Sequence, residues 1–252
     1  MTTQQKSNPL LKEMKAMIFA AGLGTRLKPF TDKHPKALAP VNGKTLLQRN
    51  IEYLNSFGIT DFIVNVHHFA DQVIRHLDEH KNFGCNVTIS YEKDEPLETG
   101  GGLKWAGWFF KHSNNPFVVM NADILTNLDI NKMLQFHLQH KPLATLAVTG
   151  RHTSRNFLYD NNNILCGWIN NKTGEKRISK QCDPLHQGAF TCVHIIEPSL
   201  LSLIKQEGKF SIIDTYLEIA KDHTICCYPH NGDIIVDVGR PESVEEAEKY
   251  FY

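Results

Sequence analysis

Short apolar runs alternate along this chain with stretches whose apolar residues recur at helical spacing, and that alternation restricts the fold more than any other feature. The run 15–21 (KAMIFAA) stops at Gly22-Leu23-Gly24, the pattern of a buried strand entering a glycine turn. Residues 44–57 place Leu46, Leu47, Ile51 and Leu54 on one helical face, and 61–66 (DFIVNV) reads as a second buried strand. The same logic predicts helix 70–80, strand 86–91, helix 101–110, strand 116–121, helix 129–140 and strand 143–148. Strands and helices taken in turn imply a mostly parallel sheet with helices on both faces, a three-layer α/β/α architecture.

Beyond Thr149 the texture changes. Residues 157–160 and 164–168 flank Asn161-Asn162-Asn163, which predicts a hairpin. Strand 188–196, helices 199–206 and 212–220, strands 225–228 and 234–238, and a helix from Pro241 complete the expectation. No Pro-, Gly- or Ser-rich linker divides the halves, so 14–252 is expected to be one domain with the hairpin region, 150–190, as an elaboration of it. Residues 1–13 form a polar N-terminal extension.

Lys+Arg and Asp+Glu both number 27, so no net field draws in nucleic acid or an anionic membrane. No apolar run is long enough to cross a bilayer, and the polar start lacks a signal-peptide core; a cytoplasmic protein is expected. Six cysteines without a CxxC pair suggest reduced, mostly buried thiols. Cys182, His186, Cys192 and His194 fit no common zinc spacing.

Chemistry concentrates at the predicted strand ends. Ala20, Ala21, Gly22, Leu23, Gly24, Thr25 and Arg26 follow the first strand, where open α/β sheets bind ligands. Glycines let the backbone approach a phosphate, and successive N–H groups in such a turn form an anion-binding concavity. A tight structural turn or a dinucleotide site shares this pattern. The dinucleotide fingerprint needs a third glycine, however, where this chain has Leu27. Arg26 and Lys36, the latter fixed behind Pro35, supply two cations suited to phosphate oxygens.

The string GLGTRLKPFTDKHPKALAPV, within residues 14–43, resembles the signature of the sugar-1-phosphate nucleotidyltransferases, also called NDP-sugar pyrophosphorylases. Glu98-Thr99-Gly100-Gly101-Gly102 resembles their base-recognition loop, notably that of small N-acetylmuramate-1-phosphate uridylyltransferases and of mannose and heptose enzymes. Asp123, after Asn121-Ala122, and Asp237, in DIIVDVGRP, fall where the family carries metal-binding aspartates. The resemblance implies a nucleotide-diphospho-sugar transferase (Rossmann-like) fold and Mg2+-dependent joining of an NTP to a sugar 1-phosphate with release of pyrophosphate. UTP is expected ahead of GTP, in a monomer or small homo-oligomer. It implies Arg26, Lys36, Asp123 and Asp237 as the catalytic set, with Asp123 and Asp237 holding the metal. Nucleotide contacts are expected from 20–26 and from Glu98, Thr99, Gly100 and Gly101.

Sugar-phosphate contacts are expected from Asn156, Trp168 and Gly188, although core packing is the commoner use of a strand tryptophan. The family's central Glu-Lys pair has no evident counterpart, since Glu175-Lys176 lies in an apparent turn. Two rivals keep the same residues: a cytidylyltransferase acting on a non-sugar phosphate such as phosphocholine, and a non-catalytic sugar-nucleotide-binding regulatory subunit.

Overall fold

The computed structural model describes residues 8–252; the start of the polar extension, 1–7, lies outside the described residues. Its remaining part is not a free arm. Pro9–Lys12 form a 3-10 turn that buries Leu11 completely in the core.

From there the chain runs through β1 (Lys15–Phe19), a small ribbon of β2 (Pro40–Val41) and β3 (Lys44–Thr45), α1 (Leu46–Ser56), β4 (Asp61–Val66), α2 (Ala70–Glu79), β5 (Asn86–Tyr91), α3 (Glu98–Trp105), β6 (Phe117–Asn121) and β7 (Ile124–Thr126). It continues as α4 (Ile130–His140), β8 (Ala144–Thr149), β9 (Arg155–Tyr159), β10 (Leu165–Asn170), β11 (Lys176–Ile178), β12 (His186–Ile196), α5 (Ile212–Ile219), β13 (Ile225–Pro229), β14 (Ile235–Asp237) and α6 (Pro241–Glu248). Helix starts follow local chemistry. The side chains of Thr45, Asp129 and Ser211 each accept from a backbone N–H of the first turn of α1, α4 and α5.

Among the described residues ten strands form one sheet. β1 lies between β4 and β6, with β5 outside β4, all parallel. Phe19 at the end of β1 is therefore level with Asn65 on one side and Asn121 on the other. β12 runs antiparallel to β6, β8 and β9, so one long strand joins the parallel half to the hairpin β9–β10–β11. β13 adds parallel to β8. β14 and β7 pair antiparallel away from the main sheet, with Asp237 opposite Ile124. One apolar cluster fills the space under α1, α2 and α4, and a second packs α3 and α5 against the opposite face.

Most elements fall within one or two residues of the sequence expectation. α3 starts at Glu98 rather than at residue 101, placing Gly100, Gly101 and Gly102 inside the helix. The expected helix 199–206 is a 3-10 segment, Pro198–Leu203. Cys166 and Cys182 form a disulfide, contrary to the expectation of reduced thiols throughout. Hairpin pairing brings together two cysteines whose linear spacing gives no hint of it. Of the four residues weighed as a zinc set, Cys182 is bonded to Cys166, His186 contacts Asn161, and His194 is buried against the Tyr216 hydroxyl. Among the described residues no helix is long and apolar enough to cross a membrane.

Candidate functional site

At the C-terminal edge of β1, β4 and β6 the chain leaves a cavity of about 380 Å³. Its walls are residues 19–25, Lys36 and Ala37, Asn65, Pro96 and the first α3 residues Glu98 and Thr99, then 121–123 and Lys209. The glycine turn forms one side. A Cβ on Gly22 would meet nothing within 4 Å, so this residue presents bare backbone to open space. Gly24 is constrained instead: its φ is +64°, and a Cβ there would lie 2.8 Å from Thr31 Cγ2 and 2.9 Å from Lys36 Cβ. The Thr31 hydroxyl donates to the Gly24 carbonyl at 2.9 Å. Turn and lysine are thus packed as one unit, and no larger residue fits between them.

Acids and cations meet on the opposite side. The Lys36 ammonium forms an ion pair with the Asp123 carboxylate, both largely shielded from solvent. Asp123 is joined to the β14 end by its carbonyl, which accepts from the Val238 N–H at 2.8 Å. Next to it, Asp237 Oδ1 is buried and has no hydrogen-bond partner among the described residues. A Cβ on Gly239 would fall 2.8 Å from that oxygen and 3.1 Å from Arg26 Nη2. Arg26 and Asp237, 211 positions apart in the chain, therefore flank one small volume that only a glycine leaves open.

The thiol of Cys192 reports the same convergence. It sits at positive φ within the irregularity of β12 between Phe190 and His194. Burial pushes it up to about 12; the negative charge of Asp123 and Asp237 adds to the rise, and Arg151 and Lys36 oppose it. All four charged groups act on the sulfur of this half-buried residue.

Other expected contacts are placed differently. Gly100 and Gly101 do not line this cavity. A Cβ on Gly100 would come within 2.4 Å of the Phe210 ring, and one on Gly101 within 2.2 Å of the Gly208 carbonyl. These glycines let α3 lie flush against 208–210, whose Phe210 carbonyl accepts from both their N–H groups. They are packing glycines, which leaves the loop residues before them, together with Glu98 and Thr99, to face the cavity.

Asn156, Trp168 and Gly188 also lie outside its lining. Trp168 is 9% exposed and packs in the second apolar cluster. Asn156 is buried and donates to the Thr153 carbonyl. Gly188 is pressed against Val148 and Tyr159, 2.8 Å and 3.0 Å from where its Cβ would stand.

Three polar or charged lining residues escaped sequence reasoning. Asn65 and Asn121 had a readable signal, a polar residue closing an apolar strand. Asn65 Oδ1 accepts from the Ala20 N–H at 2.8 Å, pinning the start of the glycine turn. Lys209 had none, because it reaches the cavity from more than 80 positions beyond β6.

A mostly parallel α/β sheet with its cleft at the C-terminal strand edge, walled by a glycine turn and by opposed acids and cations, places the chain among the Rossmann-like α/β proteins. The chain belongs to the nucleotidyl transferase family, whose model matches residues 15–159.

Among curated proteins it is 37% identical to the mannose-1-phosphate guanyltransferase of Neurospora crassa over 54% of this chain and 37% of that one. It is 26% identical to the Saccharomyces cerevisiae mannose-1-phosphate guanyltransferase over 91% of this chain and 62% of that one. The chain thus spans less than two thirds of the length of either relative. Both are named as guanyltransferases, so the expectation of UTP ahead of GTP finds no support in them.

Among solved structures, HddC from Yersinia pseudotuberculosis complexed with GMP-PN superposes with a TM-score of 0.73 at 22% identity, covering 95% of this chain and all of that one. A putative glucose-1-phosphate thymidylyltransferase from Bacillus anthracis superposes at 0.77 and 20% identity, covering 94% of each chain. These likenesses establish the fold.

Proposed function

We propose that this chain transfers a nucleotidyl group from an NTP to a sugar 1-phosphate, with GTP preferred and UTP second. The observation that carries the reading is the meeting of Arg26 and Lys36 with Asp123 and Asp237 beside a cavity whose other wall is bare glycine backbone. Family membership supports the reaction class, and the guanyltransferase relatives support GTP as the preferred donor.

In this reaction an oxygen of the acceptor phosphate attacks the α-phosphorus of the triphosphate, the bond from that phosphorus to the bridging oxygen breaks, and pyrophosphate departs. Positioning and charge neutralisation do the catalysis, and no covalent enzyme intermediate is required. The turn 20–25 offers backbone N–H groups to the triphosphate. Arg26, exposed at the mouth, holds the departing β and γ phosphates through its planar guanidinium. Lys36 exchanges part of its attachment to Asp123 for the α-phosphate region. Glu98 and Thr99 face the base.

The buried oxygen of Asp237, unpartnered among the described residues, and the carboxylate of Asp123, whose backbone carbonyl accepts from the Val238 N–H, fit a divalent cation such as Mg2+, which favours oxygen donors and few carboxylates. When bound, such an ion neutralises charge on the phosphate oxygens.

A matrix of GTP, UTP, CTP and dTTP against phosphocholine and mannose, glucose, heptose and N-acetylmuramate 1-phosphates, read by pyrophosphate release, tests the proposal. Turnover confined to sugar phosphates, fastest with GTP, is expected. Release with phosphocholine alone, or with no acceptor in the panel, rejects it.

A further inference from the structure

Behind the cavity wall lies a buried carboxylate that the reaction itself does not call for. Glu92, just past β5, is 2% exposed, as is its neighbour Asn65. The Asn65 amide N–H donates to Glu92 Oε1 at 2.6 Å, and the Leu97 backbone N–H donates to Glu92 Oε2 at 2.8 Å. Asn65 Oδ1 in turn accepts from the Ala20 N–H. A continuous relay thus runs from the first residue of the glycine turn to the residue just before Glu98 and Thr99, on the facing wall of the cleft.

We propose that Glu92 is a positioning residue: through Asn65 it ties the glycine turn to the segment that leads into α3 and so sets the width of the nucleotide cleft. The inference rests on the nucleotidyl-transfer reading.

The polarity of the relay explains the residue type. Both ends are backbone N–H donors: the Ala20 N–H, which also reaches the Asn65 carbonyl at 3.2 Å, takes the Asn65 side-chain oxygen, so the Asn65 amide donates to residue 92, which accepts at both of its oxygens. Glutamate does this; glutamine of the same shape carries one oxygen and loses one of the two bonds. Burial pushes the Glu92 carboxyl up while the donors from Leu97 and Asn65 oppose the rise. An apolar side chain would fill the wall at less desolvation cost, but it would leave the Asn65 amide and the Leu97 N–H unpaired.

Gly102 supplies a separate observation. A Cβ there would stand 2.7 Å from Glu92 Oε1 and 2.9 Å from Asn65 Nδ2. Whereas Gly100 and Gly101 make room for 208–210, the third glycine makes room for this bridge.

The test uses the full chain, with calorimetric titration of Mg-GTP in parallel with steady-state kinetics and thermal melting. Glu92→Gln is expected to weaken GTP binding and raise its KM by about tenfold, the loss of one charge-assisted hydrogen bond, leaving kcat and the acceptor KM within about threefold. Gly102→Ala is expected to act in the same direction. In the double variant the two effects should fall short of their product, because both break one bridge.

If GTP affinity and KM are unchanged in both single variants, or if both substrates' KM values rise alike, the proposal is overturned. Multiplicative effects in the double variant overturn it as well. Wild-type chain that binds no NTP overturns the nucleotidyl-transfer reading together with this one; normal wild-type binding with an unaffected Glu92→Gln overturns this one alone.

Discussion

The two halves of the sheet use the same kinds of residue for opposite ends. On the parallel side, β1, β4 and β6 stop level with one another, and the polar residues that close them, Asn65 and Asn121, line a cavity together with the glycine turn. On the antiparallel side, β9, β10 and β12 carry Asn156, Trp168 and Gly188 inward, where they are buried by neighbouring strands. Parallel strands end together at one edge and leave a crevice there. Antiparallel strands alternate their ends, so candidate side chains along them face the core as readily as a ligand. Position at the end of a parallel strand is thus informative about function, whereas position within the hairpin is not.

The contrast breaks most easily at the acids. Asp237→Asn and Asp123→Asn are each expected to lower turnover by ~10²–10³-fold while NTP affinity changes only a fewfold, since charge at that point matters most in the transition state. Pyrophosphate-release kinetics beside equilibrium binding measure both; wild-type turnover in the two variants would remove the acids from the site.

Next comes Trp168→Ala. If this residue is core, its removal costs about 3 kcal/mol of stability by denaturant unfolding, with acceptor KM unaltered. An acceptor KM that rises without loss of stability would return Trp168 to the sugar side.

Gly188→Ala sharpens the same point on a smaller scale. Crowding by Val148 and Tyr159 predicts a loss of about 1–3 kcal/mol, again without a substrate-specific change. Unaltered stability would mean that β12 has slack at this position.

The remaining effect concerns pH. His194, enclosed between β12 and α5 with its Nδ1 2.5 Å from the Tyr216 hydroxyl, is held down to about 3 by burial. Its folded value lies below its unfolded one, so the stability it contributes is fully present above about pH 6.5 and is lost as pH falls towards 3. The expected slope is about 1.4 kcal/mol per pH unit. Urea unfolding between pH 7 and 4 should show that slope in the wild type and a shallower one in His194→Gln; equal slopes would assign the acid sensitivity to other groups.

How much was readable follows from what each signal encodes. Strands 61–66 and 86–91 were placed to the residue because apolar runs between polar breaks mark buried strands directly. Arg26, Lys36, Asp123 and Asp237 could be singled out as candidates because the chemistry of phosphates and metals restricts residue type, and the two aspartates fall at or just past the ends of strands. The roles of Gly100, Gly101 and Gly102 were not readable, since a glycine records only that a side chain is excluded and never what excludes it. Phe210, Gly208 and the Glu92–Asn65 bridge do so here, and two of these come from a segment a hundred residues downstream. The Cys166–Cys182 bond and the arrival of Lys209 were hidden for the same reason.

By itself, then, the sequence determined the strand-and-helix alternation, the glycine turn and the chemical types of the charged residues, because periodicity and side-chain chemistry are local properties. Only the tertiary structure decided which charges meet, which glycines face a ligand and which polar groups are buried in a relay, because those depend on contacts between segments whose separation along the chain carries no information about distance in space.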